Sequence, residues 1–217
     1  SIPGRIHNVA LAASRLNGIL IKPGDTFSFN DAVGDISAAT GYQSAYIIKD
    51  GRTVLGDGGG VCQVSSTLFR AALNAGLSIV ERRAHAYRVH YYEEVGFKPG
   101  LDATVFGPTV DLKFKNDTPA YILIQTVTDL KNLTLNFELY GSYDGRTAEI
   151  TNHKIWGVTP PPPPLYQDDP TLAKGVVKQV DFDAWGAKAS FDYKVTRGGT
   201  ILENTTFFSN FRPWQAV

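Results

Sequence analysis

Residues 56–89 read "GDGGGVCQVSSTLFRAALNAGLSIVERRAHAYRV" and pass from a glycine run through a helical period to a strand without a break. On a wheel begun at Cys62, Val64, Leu68, Ala72 and Ala75 gather on one side, with Gln63, Thr67, Arg70 and Asn74 opposite. Gly76 closes the helix, and "SIVERR" (78–83) has the period of a strand running back along it. Working outward, alternating segments dominate the chain after Ser78: "DATVFG", "TVDLKFKN", "AYILIQTVT", "LTLNFELYG" and "TAEITNHKIWG", separated by Asn, Asp and Gly turns. This pattern predicts an α+β fold, mainly antiparallel β-sheet packed by one or two helices.

Upstream, "RIHNVALAASRLNG" (5–18) places Ile6, Val9, Ala10, Ala13 and Leu16 on one helical face, with Gly18 as C-cap. "KPGDTFSFNDAVGD" predicts a turn followed by a short strand with Phe27 and Phe29 alternating. "YQSAYIIKDGRTVLG" predicts two strands about the Lys49-Asp50-Gly51 turn. Downstream, five prolines (Pro160–Pro164) favour a stiff extended conformer, which sets an expected boundary: one domain over 1–157, then the linker and a small all-β module over 158–217. "GVVKQVDFDAWG", "KASFDYKVTRGGTI" and "LENTTFFSNF" alternate at period two, with a tight turn at Gly198-Gly199.

The 21 basic and 21 acidic residues cancel, so bulk charge attracts neither nucleic acid nor an anionic membrane. No run approaches a bilayer span, and "SIPGRIHNVA" lacks the build of a signal peptide, so membrane contact is expected only through a segment outside these residues. The single cysteine excludes an internal disulfide. The Asn-x-Thr sequons at Asn116, Asn132 and Asn204 would carry glycans only in a eukaryotic secretory route.

Cys62 falls in the first turn of its helix, between the buried and wet faces, after glycines that permit unusual backbone angles. A helix start favours thiolate over thiol and offers N–H donors to a developing oxyanion. The bland alternative is a small buried hydrophobe. A nucleophile needs a base, and the returning strand would bring His85 or His90 toward the sulfur, whereas His7 and His153 have no such route. Asp102 or Glu81 could orient the imidazole. Arg82, Arg83 and Arg88 could hold a substrate carboxylate, with a solvated strand face as the alternative. One cysteine with scattered histidines has no zinc-site spacing.

"GDTFSFNDAVGD", "GYQSAYII", "GGGVCQVSSTLFRAALNAGLSIVERRAHAYRV" and "GLDATVFGPTVDLKFKN" together resemble the VanW family of bacterial cell-envelope proteins, over about residues 1–155. The segment with "DDPTLAKGVVKQVDF" and "VTRGGTIL" resembles G-five extracellular β-modules. The first resemblance implies an exported or envelope location and peptidoglycan stem peptides as partner. It further implies L,D-transpeptidase activity through a cysteine acyl-enzyme, giving 3-3 cross-links. Carried onto this chain, the nucleophile is Cys62 and the histidine His85. Beside what the resemblance implies, the residues themselves lead us to expect Asp102 as the third group and Gly60, Gln63, Ser65, Arg83 and Arg88 around the substrate. No cofactor and no metal are implied. The YkuD type of transpeptidase sets its cysteine in a Ser-His-Gly-Cys-like context, unlike the Gly60-Val61-Cys62-Gln63 run here. A non-catalytic peptidoglycan-binding scaffold, or an amidase or peptidase using water as acceptor, are the competing expectations.

Overall fold

The structure is a computed structural model and describes residues 2–49 and 52–217. Pro3–Leu16 form α1, which begins with proline at its first position, where no N–H partner is needed. Its buried stripe is Asn8, Ala12, Ala13 and Leu16, turned from the expected stripe because Asn8 is used inside the molecule. Ile19–Ile21 form β1 and Thr26–Ser28 form β2. The chain then turns into a short helix, α2 (Phe29–Val33), instead of continuing as a strand. Ser28 caps it, accepting from the Asp31 N–H at 3.1 Å, so the expected alternation of Phe27 and Phe29 becomes two core residues on different elements.

Ser44–Lys49 (β3) and Arg52–Asp57 (β4) pair antiparallel, and the Asp50-Gly51 turn expected between them lies outside the described residues. Val61–Asn74 form α3, ended by Gly76 at φ +71°. Ser78–Glu81 (β5) and Lys113–Lys115 (β6) join β2 in a sheet of order β2-β6-β5. Ile122–Asp129 (β7) and Thr134–Tyr140 (β8) are a hairpin that pairs with β1. Arg146–Thr159 (β9), Gly186–Arg197 (β10) and Thr200–Phe211 (β11) form the third three-stranded sheet, with β10 in the middle. Every paired strand is antiparallel, as the alternating sequence predicts.

α3 lies in the core: Val64, Leu68, Phe69, Ala72 and Leu73 are fully buried, with α1 and the β8 strand as its main neighbours. The same cluster contains Phe191, Tyr193 and Val195 of β10. The Tyr193 hydroxyl donates to the Leu77 carbonyl at 2.9 Å, and Arg146 of β9 donates to the Gly76 carbonyl at 2.7 Å. The strands after the prolines therefore share the first core. The 157/158 division falls inside β9, near its end, and would part most of that strand from β10 and β11, because β9 precedes the proline run and β10 follows it. "GVVKQVDFDAWG" forms no strand before its last residue, Gly186, where β10 begins, apart from an Ala184–Trp214 bridge. Among the described residues no helix is long and apolar enough to cross a membrane.

Candidate active site

The glycine run is held where it is by close contacts on both sides. A Cβ on Gly59 would lie 2.6 Å from the Tyr46 carbonyl oxygen, so only glycine lets β3 pass. Asn8 of α1 donates to the Gln43 and Gly59 carbonyls at 2.8 and 3.1 Å and accepts from the Gln43 N–H, a buried clamp that the sequence pattern could not show. Gly60, at φ +113°, is the residue before the helix, and Cys62 enters as the second residue of α3. The N–H groups of Val61 and Gln63 bond to the Gly58 and Gly60 carbonyls. The Cys62 N–H has no hydrogen-bond partner among the described residues.

Segment 101–105 runs along α3 in the opposite direction and is fastened rung by rung. Arg70 Nε donates to the Leu101 carbonyl at 2.7 Å. Ser65 and Ser66 both donate to the Ala103 carbonyl, at 2.6 and 3.2 Å. Cys62 Sγ lies 3.6 Å from Thr104 Oγ1 and 3.5 Å from the Val105 carbonyl. One helical face, read at steps of three and four residues, thus fixes a strand-like segment with no ladder of its own. On its other side, Arg83 and Thr104 form an isolated antiparallel bridge, so the chain beyond β5 is drawn past Asp102.

That approach delivers His85. Its backbone N–H and its ring Nδ1 both meet Asp102 Oδ2, at 2.8 and 2.6 Å, and the ring is buried against the edge of Tyr92. With Nδ1 engaged, Nε2 is the nitrogen left free, and the ring is near enough to Cys62 for each group to shift the other's titration. Burial by itself would push the His85 pKa down, but its bonds to Asp102 and Cys62 and their charges raise it to about 9. Burial pushes the Cys62 thiol up, and the bond and positive charge of His85, with Thr104, outweigh this and hold it below its ordinary value. Asp102 is likewise opposed by burial and still held below the usual carboxylate range by His85 and Arg82. The three groups are thus a thiol held below its ordinary value, an imidazole held above its own and a carboxylate held below the usual range, on a cysteine residue that is half-buried.

The other expected site residues divide. His90 is exposed on a 3-10 turn, His7 bonds to the Gly41 carbonyl, and His153 bonds to the Pro99 carbonyl; none faces the sulfur. Glu81 is engaged by Lys113 and by the Asp111 N–H, so Asp102 is the carboxylate on His85. Ser65 is fully buried on the Ala103 carbonyl and is not open to a substrate, because residue 65 is one turn from Cys62 on the inward side. Arg88 is held by both oxygens of Glu93, at 2.7 and 2.6 Å, which occupies the fork expected for a substrate carboxylate. Arg83 is exposed and engages the site only through its backbone bridge. Arg82 is turned inward onto Asp102. Among the described residues no cluster of His, Cys, Asp and Glu is arranged to hold a metal ion.

Arg5 is the residue that sequence reasoning missed. Its stem crosses Gly60, where an added Cβ would be 3.1 Å from Arg5 Cγ. Its guanidinium donates to Gln63 Oε1 at 2.7 Å and lies over the Tyr91 ring, 5.0 Å from the centroid. Among the described residues no carboxylate lies within ion-pair distance of it. Arg5, Gln63 and Thr67 line one wall of a cleft of about 170 Å³ whose other wall is the β7–β8 hairpin. The only advance signal was its place one helical turn before Val9, on the face turned to the glycine run.

Residues 4–138 match the family described as "VanW like protein". Over 121 residues the chain is 45% identical to "Uncharacterized protein YoaR" of Bacillus subtilis, covering 56% of this chain and 38% of that protein. It is 36% identical over 125 residues to "Vancomycin B-type resistance protein VanW" of Enterococcus faecalis, covering 58% and 46%. The chain thus spans less than half the length of either relative. No solved structure matches it. The matched residues include α3, His85 and Asp102, and the chain belongs to the VanW family.

Proposed function

We propose that the chain carries a cysteine acyltransferase that acts on peptidoglycan stem peptides in the bacterial envelope, as an L,D-transpeptidase. The observation that carries this reading is the alignment of Cys62, His85 and Asp102 at the start of α3, with the thiol held below and the imidazole above their ordinary values. The name of the Enterococcus faecalis relative, a vancomycin resistance protein, supports a cell-wall substrate.

In the first half-reaction the Cys62 thiolate attacks the carbonyl carbon of the third stem residue, and the charge that develops on oxygen meets the free Cys62 N–H. The C–N bond to the terminal residue breaks, and His85 passes its proton to the departing amine, leaving a thioester. In the second, a neutral amine of a neighbouring stem attacks the thioester, His85 takes its proton, and the thiolate leaves. Asp102 keeps the ring in register throughout. Arg5, a cation beside Gln63 with no carboxylate partner among the described residues, is suited to the stem's terminal carboxylate in place of Arg88.

Intact-mass analysis of the chain with a tetrapeptide donor tests this. The expected result is an added acyl group on Cys62 with release of the terminal amino acid, and a cross-linked dimer once an acceptor stem is present. Release of the hydrolysed tripeptide alone would assign water as acceptor. An unmodified Cys62 together with unchanged sacculus binding by Cys62→Ala would overturn catalysis in favour of a binding role.

A further inference from the structure

Asp102 shares its two oxygens between partners on opposite sides: Oδ2 takes His85, and Oδ1 takes Arg82 at 3.2 Å. The Arg82 side chain is 2% exposed, and its whole fork is engaged. Nε donates to the Asp102 carbonyl at 2.6 Å, and Nη2 donates to the Gly100 carbonyl at 2.6 Å and to Ser209 Oγ at 3.1 Å. Nη1 donates to the Phe208 carbonyl at 3.1 Å, and the guanidinium carbon stands 5.4 Å from the centre of the Phe69 ring. Phe208 and Ser209 belong to β11, which lies beyond residue 138, where the family match ends. We propose that β11 is part of this chain's active site: Ser209 and the Phe208 carbonyl set the Arg82 guanidinium, and Arg82 sets the carboxylate that aims His85 at Cys62.

The contribution of Arg82 is geometric. As a cation beside Asp102 it opposes a second cation on His85, so its charge alone would weaken the imidazolium. What it supplies is a rigid planar fork that stops the carboxylate from turning, and a fork holds direction only while its other donors are anchored. Two of those anchors are on β11. The charged and titratable groups around this set are His85 and Cys62 on one side of Asp102, Arg82 and Arg70 on the other, and Tyr92 against the imidazole. Ser209 is uncharged and buried, so a change there alters anchoring with no change in charge.

The inference rests on the Cys62–His85 pair and not on peptidoglycan as substrate, so the test reads the thiol directly. Ser209→Ala, Ser209→Thr and Arg82→Lys are made in the full chain. Thiolate absorbance and iodoacetamide alkylation are followed against pH, with thermal melts alongside. Ser209→Ala and Arg82→Lys are expected to raise the Cys62 midpoint by about half to one pH unit and to slow alkylation on the acid limb about three- to tenfold. Ser209→Thr, which keeps the hydroxyl, is expected to titrate as wild type. A folded Ser209→Ala with the wild-type midpoint would overturn the proposal, whatever its melting temperature, and it decides the matter alone if Arg82→Lys fails to fold. A shifted midpoint in a chain that acylates no stem peptide would leave this inference standing and remove the substrate reading.

Discussion

The segments that carry the candidate chemistry and the sheet that backs them are built in opposite ways. β9, β10 and β11 form long ladders broken only by local register shifts, with eleven residue pairs between β10 and β11. Segments 82–85 and 101–105 have a single isolated bridge between them and are held by side chains: Ser65, Ser66, Arg70, Arg82 and Asp102. A ladder fixes backbone at the cost of pointing side chains up and down in alternation, whereas a segment tied by side chains can leave its ladder wherever a ring or thiol must be aimed. The regular part supplies stiffness, and the irregular part supplies direction.

The largest break in that contrast should come from Asp102→Asn, which keeps shape but reverses the tautomer it imposes on His85. Acylation of Cys62 is expected to fall about a thousandfold, about 4 kcal/mol, by single-turnover mass kinetics on protein shown to be folded. On the regular side, Phe191→Ala removes a fully buried ring that stacks on Phe207, and a loss of about 3 to 4 kcal/mol in denaturant melts is expected. Arg146→Ala strips the cation shared by Asp117 and Asp144 and is expected to cost about 3 kcal/mol of stability while the Cys62 titration stays put.

The pH dependence sharpens the comparison further. His85 is raised to about 9, so its imidazolium favours the fold fully below the ordinary histidine value and is lost as pH climbs through about 9. Cys62 is lowered, so its thiolate contribution holds above the ordinary thiol value and is lost as pH falls through the depressed one. Acyl transfer should therefore form a plateau between the depressed thiol titration and about 9, falling on both sides, as a rate profile would show. The smallest effect is expected from Phe208→Thr: its ring is 67% exposed, only its backbone carbonyl serves Arg82, and melts should move by less than about 0.5 kcal/mol.

Much of this was legible beforehand. Glycines before Cys62 and Gly76 after Asn74 bracketed α3, and the alternating runs marked both hairpins, because those signals are local. The assumption that the strand after α3 returns along it brought His85 or His90 toward Cys62 and left Asp102 and Glu81 both open as the third group; the choice between them rests on the Asp102 contacts of His85. Periodicity could not show Asn8 inside the core, Ser65 turned onto Ala103, or Arg82 buried beneath the site, since each is chosen by a partner far along the chain. The strand marked by Phe27 and Phe29 stops at Ser28, whose cap turns Phe29 into α2. The prolines suggested a boundary because they rule out ladder pairing locally, while the sheet simply resumes after them.

That detour has a practical corollary. Residues 160–185 are mostly exposed and form no strand, touching down chiefly where Leu165, Val180 and Asp181 donate to the Ala216 and Val217 carbonyls. Protease nicking inside the detour should leave a two-piece molecule whose halves stay zipped by β9 and β10 and co-elute under native conditions, so that either half could be labelled, exchanged or supplied separately to rebuild the whole.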